Sequence, residues 1–141
     1  MNAVLVISNY AYGDESFDSD RGSWNVTRAR QDCLEGKHSA YDFDIVETVE
    51  ASSNVSVDKG KIADMLAHPE LLEIAPPLIF VEDGQSDDGR PMVWLIDGHH
   101  RVRALAMMGY ARCSGYVIEE KNAARYRIYF NGERTAPWIT Q

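Results

Sequence analysis

One run of the chain gathers polar chemistry behind an apolar stretch: Val93-Trp94-Leu95-Ile96-Asp97-Gly98-His99-His100-Arg101-Val102-Arg103-Ala104-Leu105. Its pattern is that of a buried strand broken at Gly98, a sharp turn, and a helix with polar residues crowded into its first turn. The unpaired backbone N–H groups of such a turn, together with the helix dipole, make an anion site. Arg101 adds a planar guanidinium fork suited to phosphate. His99 and His100 can donate hydrogen bonds, and either can move a proton near neutral pH. Gly98, His99, His100 and Arg101 are therefore expected to hold a phosphate-bearing group. Asp97 has two readings: an N-cap for the helix, or a Mg²⁺ ligand or carboxylate that fixes a histidine tautomer. Under the second, Asp97 is the candidate metal ligand, and Asp97, His99 and His100 are candidate catalytic residues. Adjacent histidines on a helix point about 100° apart, so this pair alone does not make a metal site, and His38 and His68 show no ligand spacing.

The elements that must position this turn follow from the patterning. Residues 3–8 read as a short buried strand, 12–22 as an acidic, Gly- and Ser-rich loop, and the stretch from Ser23 as a helix. Ser23 would cap that helix, with Val26, Arg30, Cys33 and Leu34 at helical spacing and Gly36 at its end. Residues 43–49 largely alternate, as in a half-exposed strand. Asp58 can cap a short helix with Ile62, Met65 and Leu66 on one face, closed by His68-Pro69. Leu78-Ile79-Phe80-Val81 and residues 92–96 form a hairpin around a turn at 83–91. A helix at 101–108 ending at Gly109, and strands at 115–119 and 125–130, complete the chain. The expected class is α/β (α+β), a small mixed sheet with short helices. Residues 1–42 are expected as an N-terminal extension (strand, acidic loop, helix) packed on a core of residues 43–141.

Composition narrows the function classes. With 141 residues, 45% of them apolar, the chain has the substance of one domain with one real core. No apolar run reaches the roughly 18–20 residues of a membrane span, and the first residues lack the basic segment of a signal peptide. Cys33 and Cys113 form no CxxC, so they are expected as free thiols, and the expected compartment is the cytoplasm. The net charge of −8 is uneven: residues 1–85 carry 6 basic and 16 acidic side chains, residues 86–141 carry 8 and 6. An acidic chain repels a polyphosphate backbone at long range, which disfavours nucleic acid as partner. The basic C-terminal portion still leaves room for a local anionic ligand. No Walker A loop, Gly-x-Gly-x-x-Gly or Gly-x-Ser-x-Gly elbow is present. Trp94 is read as core rather than a base-stacking ring. Arg125-Tyr126-Arg127-Ile128-Tyr129 fits a charge-guarded edge strand better than a nucleic-acid face.

Gly98-His99-His100-Arg101-Val102-Arg103-Ala104 resembles the Gly-Glu-Arg-Arg-x-Arg-Ala signature of the ParB N-terminal domain. Asp97-Gly98-His99-His100-Arg101 is similar to the Asp-Gly-His-His-Arg box of archaeal free-serine kinases. Sulfiredoxins share the fold, with a Gly-Gly-Cys-His-Arg turn. The likeness to this ParB/sulfiredoxin superfamily spans roughly residues 43–120. It implies a strand–turn–helix box that binds nucleotide phosphates: ATP or ADP, with CTP a further candidate, and Mg²⁺ at Asp97. By the same resemblance an upstream carboxylate activates a substrate hydroxyl, with Glu50 preferred over Glu47. Sulfiredoxin chemistry is excluded, because the reactive cysteine's place is taken by His99. The implied function is a nucleotide-dependent phosphotransferase or hydrolase that takes a purine nucleotide. The alternatives are a ParB-like nuclease or DNA-binding accessory factor, and a non-catalytic phage or plasmid interaction protein.

Overall fold

The computed structural model describes residues 7–8, 10–19, 21–73, 75 and 77–130. It is a mixed α+β fold built on two sheets. The first joins β1 (Ile7–Ser8), β8 (Arg127–Phe130), β3 (Gly22–Asn25) and β2 (Ser16–Ser19) in that order, every pair antiparallel. The second has the order β4 (Ser39–Asp44), β7 (Arg112–Ile118), β5 (Leu78–Gln85) and β6 (Pro91–Asp97). Here β5 and β7 run parallel, while the outer pairs are antiparallel.

The apolar run Leu78–Val81 is buried at all four positions because β5 faces protein on both sides. Its alternate side chains divide the core. Ile79 and Val81, with Ile96 and Ile118, meet Trp24, Ala29, Cys33 and Tyr126 on one side. Leu78 and Phe80, with Leu95, meet Ile45 and Val102 on the other. The first face is covered by β3 and helix α1 (Val26–Leu34), the second by α2 (Ile45–Ala51) and α5 (His99–Met107). The 42/43 boundary falls inside β4, β8 returns to pair with β3, and the N-terminal segment contributes Trp24, Ala29 and Cys33 to the core.

Several expectations need correction. The loop expected over 12–22 is largely the β2–β3 hairpin, with Phe17 paired to Trp24. The first helix is capped by Asn25, whose side chain accepts from the Arg28 N–H, while Ser23 lies in β3. The strand expected over 43–49 ends at Asp44. That carboxylate accepts the Glu47 N–H and starts α2, which buries Ile45 and Thr48 at helical spacing. Strand β8 is internal to its sheet rather than an edge, and Arg127 and Tyr129 are buried.

Other expectations hold. Asp58 caps α3 (Lys59–Ala67), which stops at His68, and the β5–β6 hairpin forms. Helix α5 ends before Gly109, whose φ is +87°. Of two short helices, α4 (Glu70–Glu73) lies between α3 and β5, and α6 (Glu120–Ala123) links β7 to β8. Among the described residues no helix is long and apolar enough to cross a membrane. Residues 3–6, from the strand expected at 3–8, and Trp138 lie outside the described residues.

Candidate functional site

The β6–α5 turn has the expected local geometry. Gly98 adopts φ 106° and ψ 16°, a left-handed conformation that side chains disfavour, and an added Cβ there would collide with Leu78 Cδ2. Gly98 itself is the N-cap, with no side-chain hydrogen bond, so the N-cap reading of Asp97 is corrected. Asp97 instead serves two guanidiniums. Its Oδ2 accepts from Arg101 at 3.1 Å, and from Arg30 of α1 through Nη2 at 3.1 Å and Nε at 3.3 Å. The Asp97 and Arg101 side chains are only 11% and 12% exposed, so this is an internal ion cluster rather than a surface pair. The guanidinium expected to meet a phosphate already meets the protein's own carboxylate. A Mg²⁺ ion does not fit at Asp97, since two cations already occupy its charge. Among the described residues no group of three or more His, Cys, Asp or Glu side chains is placed to hold a metal.

The two histidines part company. His99 is buried, its ring stacked on Phe17 with centroids 4.8 Å apart, and its Nε2 lies 2.8 Å from the Leu95 carbonyl oxygen. A carbonyl only accepts, so Nε2 carries the proton and Nδ1 is a bare acceptor. Burial drives the His99 pKa down to about 4 against the help of that hydrogen bond, leaving the ring neutral. His100 has the opposite tautomer, because its Nε2 accepts the Asp58 N–H at 3.0 Å and ties α5 to the cap of α3. Burial, then the charge of Lys61, lowers its pKa. Arg103 fastens α5 to its surroundings by donating to the carbonyls of His99 at 2.9 Å and Ser52 at 2.7 Å. Glu50 and Glu47 are both exposed on α2, and no side-chain hydrogen bond or ion pair joins either to the turn. Asp97 and Arg101 thus pair with one another, His99 and His100 serve separate partners, and Glu50 is joined to none of them.

What the sequence reading missed lies on the other side of His99. A partly open chamber of about 70 Å³ is lined by Phe17, Trp24, Phe80, Trp94, Arg21 and His99, with Asp83 and, from the α2 end, Thr48 and Ser52 among its polar walls. It shares Phe17, Ser19, Asn54 and Val55 with an open groove of about 670 Å³ between β2 and the loop after α2. Trp94 is held by its Nε1–H donating to the Asp83 carbonyl at 2.9 Å, with the Arg21 guanidinium 4.3 Å above its ring. Arg127 lies 4.4 Å over Trp24 and pairs with Asp83 Oδ2 at 2.8 Å. Among the described residues two buried side-chain polar atoms lack a hydrogen-bond partner, His99 Nδ1 and Arg21 Nε, the latter in an ion pair with Asp83 Oδ2 at 3.6 Å. The sequence signal was faint: Phe17 and Ser19 alternate with exposed residues over a strand of only four positions.

Comparison with known protein families, curated proteins and solved structures gives no match in any of the three, so the resemblance to the ParB/sulfiredoxin superfamily gains no support from them.

Proposed function

We propose that the protein is a non-catalytic binding module for a small, largely uncharged organic ligand. A ring-sized head occupies the chamber beside His99, and the polar remainder lies in the outer groove. The observation that carries this reading is the chamber itself, a pocket with aromatic walls and polar groups that include His99, Thr48 and the paired Arg21 and Asp83, next to a larger groove with which it shares lining residues. Its size sets the head. At roughly 10–15 Å³ per water the chamber has room for about five waters, the bulk of one six-membered ring rather than a fused purine.

The groove sets the tail. Its walls are Phe17, Asp18, Ser19, Asn54, Val55 and Ser56, so the one ionisable wall residue is acidic. Hydroxyls and an amide suit a polyol, whereas a triphosphate would face Asp18 with no cation to offset it. A pyrimidine nucleoside has this form, and it keeps the nucleoside half of the nucleotide-binding expectation. Phosphoryl transfer draws no support from the site, because Arg101 and Asp97 neutralise one another and no side-chain hydrogen bond or ion pair joins Glu50 to the turn.

The test is a panel of cytidine, uridine, adenosine and their 5′-triphosphates, with and without Mg²⁺, read by thermal shift and by the fluorescence of Trp24 and Trp94. Pyrimidine nucleosides should raise Tm as ligand concentration passes Kd. Triphosphates should do no better, and Mg²⁺ should change nothing. A stronger response to triphosphates that Arg101→Ala abolishes would restore the phosphate reading. No response to any compound would end the chamber reading for this ligand class.

A further inference from the structure

Two side chains of α5 hold the two ends of the segment between α2 and α3. Arg103 Nη2 donates to the carbonyl of Ser52, the C-cap of α2, at 2.7 Å. His100 Nε2 accepts the N–H of Asp58, the N-cap of α3, at 3.0 Å. Residues three apart are neighbours on a helix surface, so both pins stand on the same side of α5. The strap between them carries Asn54, Val55 and Ser56, which form one wall of the outer groove. Asn54 and Val55 also line the chamber, so the strap stands where the two cavities meet. Beyond Val55 it has little of its own to hold it: residues 56–58 lie in neither helix nor strand, and α3 fully buries only Ile62.

The two pins differ in kind. Arg103 stays protonated and keeps donating at any pH the fold survives. His100 holds Asp58 only while Nε2 is bare and the ring's proton sits on Nδ1. Protonation turns Nε2 into a donor facing a donor, and that pin fails. We infer that the strap is an acid-sensitive gate between chamber and groove, pinned permanently at Ser52 and reversibly at Asp58, which sets how fast a ligand enters and leaves. The ligand rests on the chamber reading above; the pins do not. The charged groups facing His100 are Lys61 and Asp58 from the α3 side and Arg103 of α5. Burial, Lys61 and Arg103 favour the neutral ring and outweigh the Asp58 carboxylate, so the folded pKa lies below 6.5. The pin is therefore complete above about pH 6.5 and is lost as the pH falls through that lowered value. Opening stays rare in both states, because Arg103 still holds Ser52 and the Asp58 carboxylate still caps Gly60 and Lys61. The gate thus alters rates of exchange rather than affinity.

The test compares the full chain with His100→Gln, whose Oε1 accepts an N–H at every pH, at pH 7.5 and pH 5. Hydrogen exchange is read as protection at the Asp58 and Ile62 amides, corrected for the intrinsic rate at each pH. The dissociation rate of uridine, which is uncharged across this range, is followed by stopped-flow tryptophan fluorescence. On going to pH 5 the parent protein should lose protection, and release uridine faster, by about fivefold to tenfold, the effect of one hydrogen bond. Its Kd should stay within twofold. His100→Gln should show neither change, and His99 titrates alike in both proteins, so its contribution cancels in the comparison. Equal pH dependence in the two proteins, or none in the parent, would overturn the gate. A strap that loosens in acid without faster release of uridine would overturn its place at the passage. Failure of uridine to bind at either pH would overturn the nucleoside reading, and the gate with it, whatever the exchange data show.

Discussion

The two sides of His99 teach opposite lessons. Toward β6 and α1 lies the turn whose residue types announce chemistry: a carboxylate, two histidines and an arginine in five positions. There Asp97 carries two guanidiniums, His100 accepts a backbone N–H, and Arg101 is folded onto Asp97. Toward β2 and β5 lies a chamber whose residue types suggest only a core, and there His99 Nδ1 remains buried without a hydrogen-bond partner. Reactive side chains mark a site only while their bonding capacity is open. A group saturated by its own protein is structure, whatever its type, and an unsatisfied group among apolar neighbours is the better pointer to a ligand.

Removing the carboxylate at the turn is the hardest blow to this contrast. Asp97→Ala would strand Arg101, 12% exposed, and Arg30, 30% exposed, with no shared counter-ion at that point. Breaking an internal ion cluster by deleting one partner costs about 3–5 kcal/mol. The urea midpoint should fall accordingly, with Arg101→Ala milder because Arg30 still holds Asp97. Were Asp97→Ala as stable as the parent protein, the carboxylate would be free for other work, and the turn would return as the candidate site.

The next effect comes from His99 and acts through pH. Its folded pKa is about 4 against 6.5 for the free side chain, so between those values the unfolded chain binds more protons than the folded one. Stability from this group is therefore full above about pH 6.5 and declines as the pH falls toward 4. The total is about 3 kcal/mol at 1.36 kcal/mol per unit. Urea unfolding at pH 7, 6, 5 and 4 should show this slope, and the same series on His99→Phe should be flatter by that amount. Parallel curves would mean that the ring titrates freely and is not held neutral by burial against Phe17.

Gly98→Ala is smaller. The residue must leave a backbone conformation near φ +106° that it resists, and its methyl must displace the tip of Leu78. About 2–3 kcal/mol is expected, mostly from the backbone, since the leucine tip can move. Hydrogen exchange should show the loss concentrated in α5 and β6. A loss under 0.5 kcal/mol would show that the turn relaxes easily and is not fixed by its glycine.

The uneven legibility of the molecule has the same root as the contrast at His99. Leu78–Val81 was readable because four consecutive apolar residues have few alternatives to a buried strand, and Asp58 because a cap speaks to N–H groups two and three residues away. Asp44 sends the same kind of signal into Ile45–Ala51, but Phe43, Ile45 and Val49 also fit an alternating pattern, and the wrong period prevailed. The β2–β3 hairpin was hidden by its acidic, glycine-rich composition. Its burial depends on partners far along the chain, with Ser23 opposite Ile128 and Trp24 opposite Arg127. The turn's residues were legible to the position, but their partners were not. Arg30 reaches Asp97 across 67 positions, and no local pattern announces that bond.

The smallest predicted effect separates the adjacent histidines most cleanly. His100→Ala removes an acceptor from the Asp58 N–H at a partly exposed position, so the N–H can turn to water. One such bond is worth about 1 kcal/mol, and the loss should fall on α3, whose cap the bond steadies. His100 is not among the chamber walls, so its loss should leave nucleoside titrations within twofold of the parent protein. His99→Phe, one residue away and in the wall, should change them. If the two variants affected ligand equally, the ligand would be sensing the helix start as a whole. The anion-binding turn, rather than the chamber, would then be the site.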